Sequence, residues 1–200
     1  MRLAVLNKTE LTLANFSGTD VNRPMLTNIL VRKNGDDVEF VTTDSYIAVI
    51  YKSPLQEKVD FEPFLIPAKV FNMLYKLAGK HKVPERNKVR RIRGLGLNTV
   101  LDLVEIHETY AIIPTLGVTV AYEAVEEPAK YPDLDRLIRE LKKEKETTVI
   151  LNHKYLATAT KFVADTDNSA GAIEIEFTGK LSPVFIRSNR ATAIVMPLRK

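Results

Sequence analysis

The chain has 200 residues, 45% of them hydrophobic and 27% charged, with a net charge of +4 and no cysteine. Those proportions suit a globular protein of one large domain or two small ones, and they exclude disulfide scaffolds and thiolate chemistry; a cytoplasmic location fits. No apolar run approaches the ~20 residues of a membrane span, and Met1 to Lys8 lacks a signal-peptide layout.

A short apolar strand, Leu3–Leu6, precedes a weak helical stretch from Thr9 to Ser17. Thr27–Arg32 and Val38–Thr43 flank Lys33-Asn34-Gly35-Asp36, and an Asn-Gly between two β-prone runs predicts a hairpin. A third run, Tyr46–Tyr51, stops before Pro54. Phe64–Ile66 leads into a helix that Pro67 suits as a start and Gly79 as a stop, spanning about 67–78. Thr99–Ile106, Tyr110–Ile113 and Val118–Tyr122 read as a second meander. Arg136–Glu146 alternates in charge sign and reads as an exposed connector. Thr148–Leu151 then leads to Asn152 as an N-cap, a helix to about Ala164, and a third meander of Gly171–Phe177, Pro183–Ile186 and Ala191–Met196. The chain thus reads as three copies of one β-α-β-β-β unit, near 1–57, 58–140 and 146–200.

The helix faces carry the first functional signal. In the second copy, Val70, Phe71, Leu74 and Leu77 share an apolar side, while Lys69, Asn72, Lys76 and Lys80 form a polar stripe without an acid. In the third, Tyr155, Leu156, Ala159, Phe162 and Val163 are apolar, and Lys154, Thr158 and Lys161 lie opposite. Between Lys76 and Arg93 there are eight cations, among them Lys82, Arg86 and Lys88, against the single acid Glu85. Such a cluster is either a solvated surface or a phosphate-facing one, since clustered cations release the counterions of DNA.

Several motifs together resemble the bacterial DNA polymerase III beta sliding clamp. Arg23-Pro24-Met25-Leu26-Thr27-Asn28-Ile29-Leu30 and Val41-Thr42-Thr43-Asp44-Ser45-Tyr46 are similar to an Arg-Pro-x-Leu start and a Thr-Asp turn of its middle domain. Tyr131-Pro132-Asp133-Leu134-Asp135-Arg136-Leu137 is similar to the Tyr-Pro-Asp segment that closes that domain. Gly179–Arg187 and Ile194-Val195-Met196-Pro197-Leu198-Arg199 are similar to the family's C-terminal end. The resemblance implies an α+β DNA-clamp fold, with antiparallel sheets outside and helices lining an inner face. It implies a complete clamp domain over 1–140 and a half domain over 141–200.

The resemblance further implies a non-enzymatic processivity factor with no cofactor. Double-stranded DNA would be held by phosphate contacts from Lys69, Asn72, Lys76, Lys80, Lys82, Arg86, Lys88, Lys154 and Lys161. Peptide motifs of polymerases and clamp loaders would dock on Arg23, Thr43, Tyr46, Ile47, Pro132, Leu137, Ile194, Met196, Pro197, Leu198 and Arg199. Three copies, against the family's twelve per ring, imply a homo-oligomer of four chains. The alternative is a non-encircling adaptor or decoy that only binds the peptides, to which the short chain points. Departures from the family pattern are Tyr46-Ile47-Ala48, where His-Arg-Leu is usual, Lys200 at the end, and a basic net charge.

Other chemistry finds little support in the sequence. His81, His107 and His153 lack metal-ligand spacing and suit surface or packing roles. Gly94-Leu95-Gly96 lacks the third glycine of a dinucleotide loop. Asp165-Thr166-Asp167-Asn168-Ser169, with Glu176 at the last offset, opens like a calcium loop, but Ala170 replaces its glycine and a polar turn is the better reading. Asp44 is expected to anchor a turn by capping nearby N–H groups.

Overall fold

The computed structural model describes residues 1–20, 22–57, 59–78, 103–123, 130–140, 148–167, 172–177 and 179–198. The first copy comprises β1 (Arg2–Leu6), a 3-10 helix (Glu10–Phe16), β2 (Asn28–Asn34), β3 (Asp37–Thr43) and β4 (Ile47–Pro54). The second comprises β5 (Phe64–Pro67), α1 (Ala68–Ala78), β6 (Val104–His107), β7 (Tyr110–Ile113) and β8 (Val118–Ala121). A short helix α2 (Leu134–Glu140) precedes the third copy: α3 (His153–Thr166), β9 (Glu174–Phe177), β10 (Val184–Arg187) and β11 (Ala191–Val195). No helix among the described residues is long and apolar enough to cross a membrane.

Local chemistry sets the turns and caps. Gly35 adopts φ +63° in the β2–β3 hairpin, a conformation open to a residue without Cβ. Pro67 ends β5 and leads directly into α1. The Asn152 carboxamide oxygen accepts the Lys154 N–H at 2.9 Å, which caps α3.

The first two copies exchange their first strands. β1 of the first pairs with β6 of the second, and β5 of the second pairs with β2 of the first. The 3-10 helix and α1 pack against each other beneath both sheets. The third copy joins through β4 and β11, which run antiparallel from Ile47↔Val195 to Tyr51↔Ala191. The result is a four-stranded sheet, β1-β6-β7-β8, and a seven-stranded sheet, β5-β2-β3-β4-β11-β10-β9.

β4 is apolar on both faces because both are covered. Ile47, Val49 and Tyr51 enter the core beneath the helices, while Ala48 and Ile50 join a second cluster on the other face. Phe162 of α3 wedges between Phe16 and Tyr51, with ring centroids 5.2 and 6.2 Å away, so the helix-side core runs unbroken across the β4–β11 junction. α1 and α3 therefore lie on one face of the seven-stranded sheet. The opposite face carries the second cluster, to which the segment 131–138 contributes Tyr131, Leu134, Leu137 and Ile138.

A buried polar trio ties this junction together. Glu10 is 2% exposed; its carboxylate accepts the Asn7 N–H at 2.6 Å, the Tyr51 hydroxyl, and Nη2 of Arg190 at 3.1 Å. Arg190 sits in the β10–β11 turn and lies over the Tyr51 ring, 5.3 Å from its centroid. Burial first, then the Glu10 charge, holds the Tyr51 phenol well above its ordinary value, so it stays protonated and donates.

Three elements differ from the sequence reading. Leu134–Glu140 is helical, not a plain connector, because Leu134 buries against the sheet while the charges face outward; 141–147 lie outside the described residues. Thr148–Leu151 joins neither sheet and makes only the single bridge Leu151↔Pro197 among the described residues. The first-copy helix is 3-10. The predicted strand start at Thr99 also falls outside the described residues.

Removing one partner of a buried ion pair leaves the other charge stranded. Arg190 is only partly buried, so we expect Arg190→Ala to cost about 2 to 3 kcal/mol, less than the 3–5 of a fully buried pair. Urea unfolding measures it; a loss below about 0.5 kcal/mol, the level of an ordinary surface substitution, would show that the trio does not pin the junction.

Candidate functional site on the outer face of the sheet junction

The β3–β4 turn is built by its own side chains. The Asp44 carboxylate accepts the N–H groups of Tyr46 and Ile47 at 2.8 and 2.9 Å, the capping role read from sequence. The Thr43 hydroxyl donates to the Ile47 carbonyl at 2.8 Å and accepts from the Ser45 N–H at 3.0 Å. Ser45 takes φ 79°, a left-handed conformation that costs a non-glycine residue roughly 1 kcal/mol. Nη1 of Arg23 donates to the Ser45 hydroxyl at 2.9 Å and helps hold it there. The other arm of Arg23 engages Asp20 at 3.0 Å.

The end of β11 meets this turn. The Met196 N–H donates to the Tyr46 carbonyl at 2.9 Å, and Ile194 lies opposite Ala48. Pro197 bridges Leu151, and the Leu198 N–H donates to the Ile150 carbonyl at 2.8 Å. Tyr46 is 55% exposed and Leu198 47%. The segment 131–140 completes the surface. The buried Tyr131 hydroxyl lies 3.2 Å from the carbonyls of both Asn28 and Val41; burial holds the phenol above its ordinary value, so it remains a donor. Leu137 packs at the edge of the Ile194 cluster, and exposed Pro132 follows Tyr131. α2 is tied to β2 by Arg32, whose Nη1 lies 2.5 Å from the Asp135 carboxylate, while its other arm holds buried Glu39 at 2.7 Å.

The structure thus brings Arg23, Thr43, Leu137, Ile194, Met196, Pro197 and Leu198 to one region from three distant parts of the chain. Ile47 is a correction: its side chain joins Val49 and Tyr51 in the helix-side core, because alternation along β4 turns it away from Ala48 and Ile50. Tyr46 also departs from a simple pocket wall. It stacks on Tyr155 of α3, centroids 6.2 Å apart and planes at 13°. Sequence reasoning passed over Met25 and Ile138, which pack on the outer cluster. Arg199 lies outside the described residues.

On the opposite face, Lys69, Asn72 and Lys76 of α1 and Lys154 and Lys161 of α3 are all exposed. A cavity of about 510 Å³ opens beside α1, lined in part by Ala14, Gly18, Asn28, Lys69 and Asn72. Lys80, Lys82, Arg86 and Lys88 lie outside the described residues. His107 is buried and stacks on Tyr110 at 4.2 Å, whereas His153 is exposed at the start of α3. His81 lies outside the described residues. Asp165 and Thr166 form the last turn of α3, and Glu176 pairs with Arg187.

Repeated copies that exchange first strands, sheets on one side and helices on the other, define the DNA sliding-clamp fold. Solved structures of that class match nearly the whole chain. The sliding clamp of Bacillus subtilis is 16% identical, with a TM-score of 0.60 over 99% of this chain and 64% of its own. The DNA polymerase III beta subunit of Thermotoga maritima is 11% identical, with a TM-score of 0.66 over 100% and 65%. The clamp of Bartonella birtlesii, solved bound to griselimycin, is 15% identical, with a TM-score of 0.62 over 100% and 66%. The chain therefore has the fold of the beta sliding clamps and spans just under two thirds of their length. No protein-family model and no curated protein matches it.

The Arg32 hydrogen bond, with burial opposing it, holds the Asp135 carboxyl below its ordinary 3.8. A carboxylate with a depressed folded pKa stabilises the fold above its unfolded value, and that contribution is lost as pH falls through the folded one. Asp135 is 40% exposed, so we expect Asp135→Asn to cost under about 1 kcal/mol at neutral pH. The gap between wild type and variant should close below pH 3.8, as read by urea unfolding across pH. A gap independent of pH would deny the ion pair.

Proposed function

We propose that the chain is a clamp-type, non-enzymatic binding protein of DNA replication. On this reading it docks short peptide motifs of polymerases and clamp loaders on the outer face of the β4–β11 junction, and holds double-stranded DNA against α1 and α3. The observation that carries the reading is the convergence of the β3–β4 turn, the 131–138 segment and residues 194–198. That region combines exposed apolar side chains with a rigid hydrogen-bonded turn, which suits an apolar peptide anchor. A beta clamp of this fold bound to griselimycin supports a ligand-docking role. The site of action would be the cytoplasm, and a peptide-binding adaptor that does not encircle DNA is the other outcome of the tests below.

Met196 is only partly buried, so Met196→Asp should leave the fold intact while placing a charge beside the anchor site. With a fluorescent clamp-binding peptide, anisotropy should show binding to wild type and a loss of at least about tenfold in the variant, the equivalent of 1.4 kcal/mol. Equal binding, or none by wild type, would remove the docking assignment.

DNA retention has a separate signature. Each lysine–phosphate contact contributes about 0.9 to the slope of log affinity against log salt. Replacing Lys69 and Lys76 together with alanine should flatten that slope by roughly 2 if both touch phosphate. An unchanged slope, with intact peptide binding, would favour the adaptor.

A further inference from the structure

The third copy is left half-completed in a way the first two are not. The β3–β4 and β10–β11 hairpins align through Thr43↔Ala48 and Arg187↔Thr192. Since Val31 pairs with Phe40 and Phe177 with Val184, this alignment puts Phe177 at the place of Val31 and Ile175 at that of Ile29. Val31 and Ile29 are fully buried, whereas Phe177 is 46% and Ile175 41% exposed. β5, the first strand contributed by the other copy, pairs along β2 there, with Ile66 opposite Ile29 and Phe64 opposite Val31, and all four lie in the helix-side core. β9 ends the seven-stranded order, and no strand among the described residues pairs with its outer edge.

The complementary part is also exposed. Aligning the starts of α1 and α3 puts Ile150 at the place of Leu65, which is fully buried, yet Ile150 is 40% exposed. Tyr155 and Leu156 take the places of buried Val70 and Phe71 but are only half-buried. The segment is nevertheless held as a first strand should be. In the first copy the Leu3 carbonyl accepts the Gln56 N–H at 3.1 Å while β1 pairs with β6; in the third the Ile150 carbonyl accepts the Leu198 N–H at 2.8 Å. The seven residues 141–147 cannot supply a unit that takes 57 residues in the first copy.

We propose that the partner is a second copy of this chain. Two third copies exchange their 148–151 segments about a twofold axis, as the first and second copies exchange β1 and β5. Each 148–151 segment pairs antiparallel with β9 of the other chain, and the two α3 helices face each other. The β2–β5 register places Val149 of one chain opposite Phe177 of the other, and Leu151 opposite Ile175. This inference rests on the fold, and neither peptide docking nor DNA binding is needed for it.

The absence of cysteine makes the test clean. Opposed residues of an antiparallel pair lie about 4.5–5.5 Å apart at Cα, within disulfide reach. Within one chain, β10 and β11 separate β9 from the 148–151 segment, and three strand spacings make about 14 Å, beyond that reach. Oxidised Val149→Cys/Phe177→Cys full-length chain should run as a covalent dimer on non-reducing gels, and neither single variant should cross-link. Monomeric double variant, or equal cross-linking by a single variant, overturns the proposal. Light scattering gives a second measure that needs no new bond. The wild-type mass should be an even multiple of the chain, and Phe177→Asp, at an exposed position, should halve it with an unchanged circular dichroism spectrum. A wild-type monomer overturns the proposal.

Discussion

The antiparallel pairing of β4 with β11 is the constraint on which the rest of the structure depends. It joins parts of the chain more than 130 residues apart, and it does so with apolar side chains on both faces. Backbone pairing alone does not choose between registers. Alternation here does, because a shift of one residue would turn Ile47, Val49 and Tyr51 out of the core. The Glu10–Tyr51–Arg190 trio adds a polar condition: only this register brings the β10–β11 turn to the buried carboxylate.

From that pairing follows the difference in what covers the two faces. Helices cover one side, and their polar backs carry Lys69, Lys76, Lys154 and Lys161 outward. The other side is covered by the short 131–140 segment, so the junction there remains accessible beside Met196 and Leu198. The DNA and peptide contacts proposed above would therefore use different side chains.

Much of the architecture was legible in the sequence because the signals were local. Asn34-Gly35 marked a hairpin, Pro67 a helix entry and Asn152 a cap, and each acts within a few residues. The Asp44 turn was legible for the same reason. The outer face was harder to read. Arg136–Glu146 alternates in charge, and that pattern hid the helix over Leu134–Glu140 and the packing of Ile138, which depend on a sheet formed elsewhere. Ile47 was misplaced although strand parity with Val49 and Tyr51 carries the information. Thr148–Leu151 has the composition of a strand, but composition cannot supply a pairing partner, and the segment stays out of both sheets.

We propose the β4–β11 junction as a peptide-docking surface. Amide hydrogen exchange with and without a saturating clamp-binding peptide tests it most directly, since local opening is read segment by segment. Exchange should slow together in 43–47, 131–138 and 194–198, with α1 and α3 unchanged. Slowing confined to the helices, or no slowing in those three segments when peptide is bound, would contradict it.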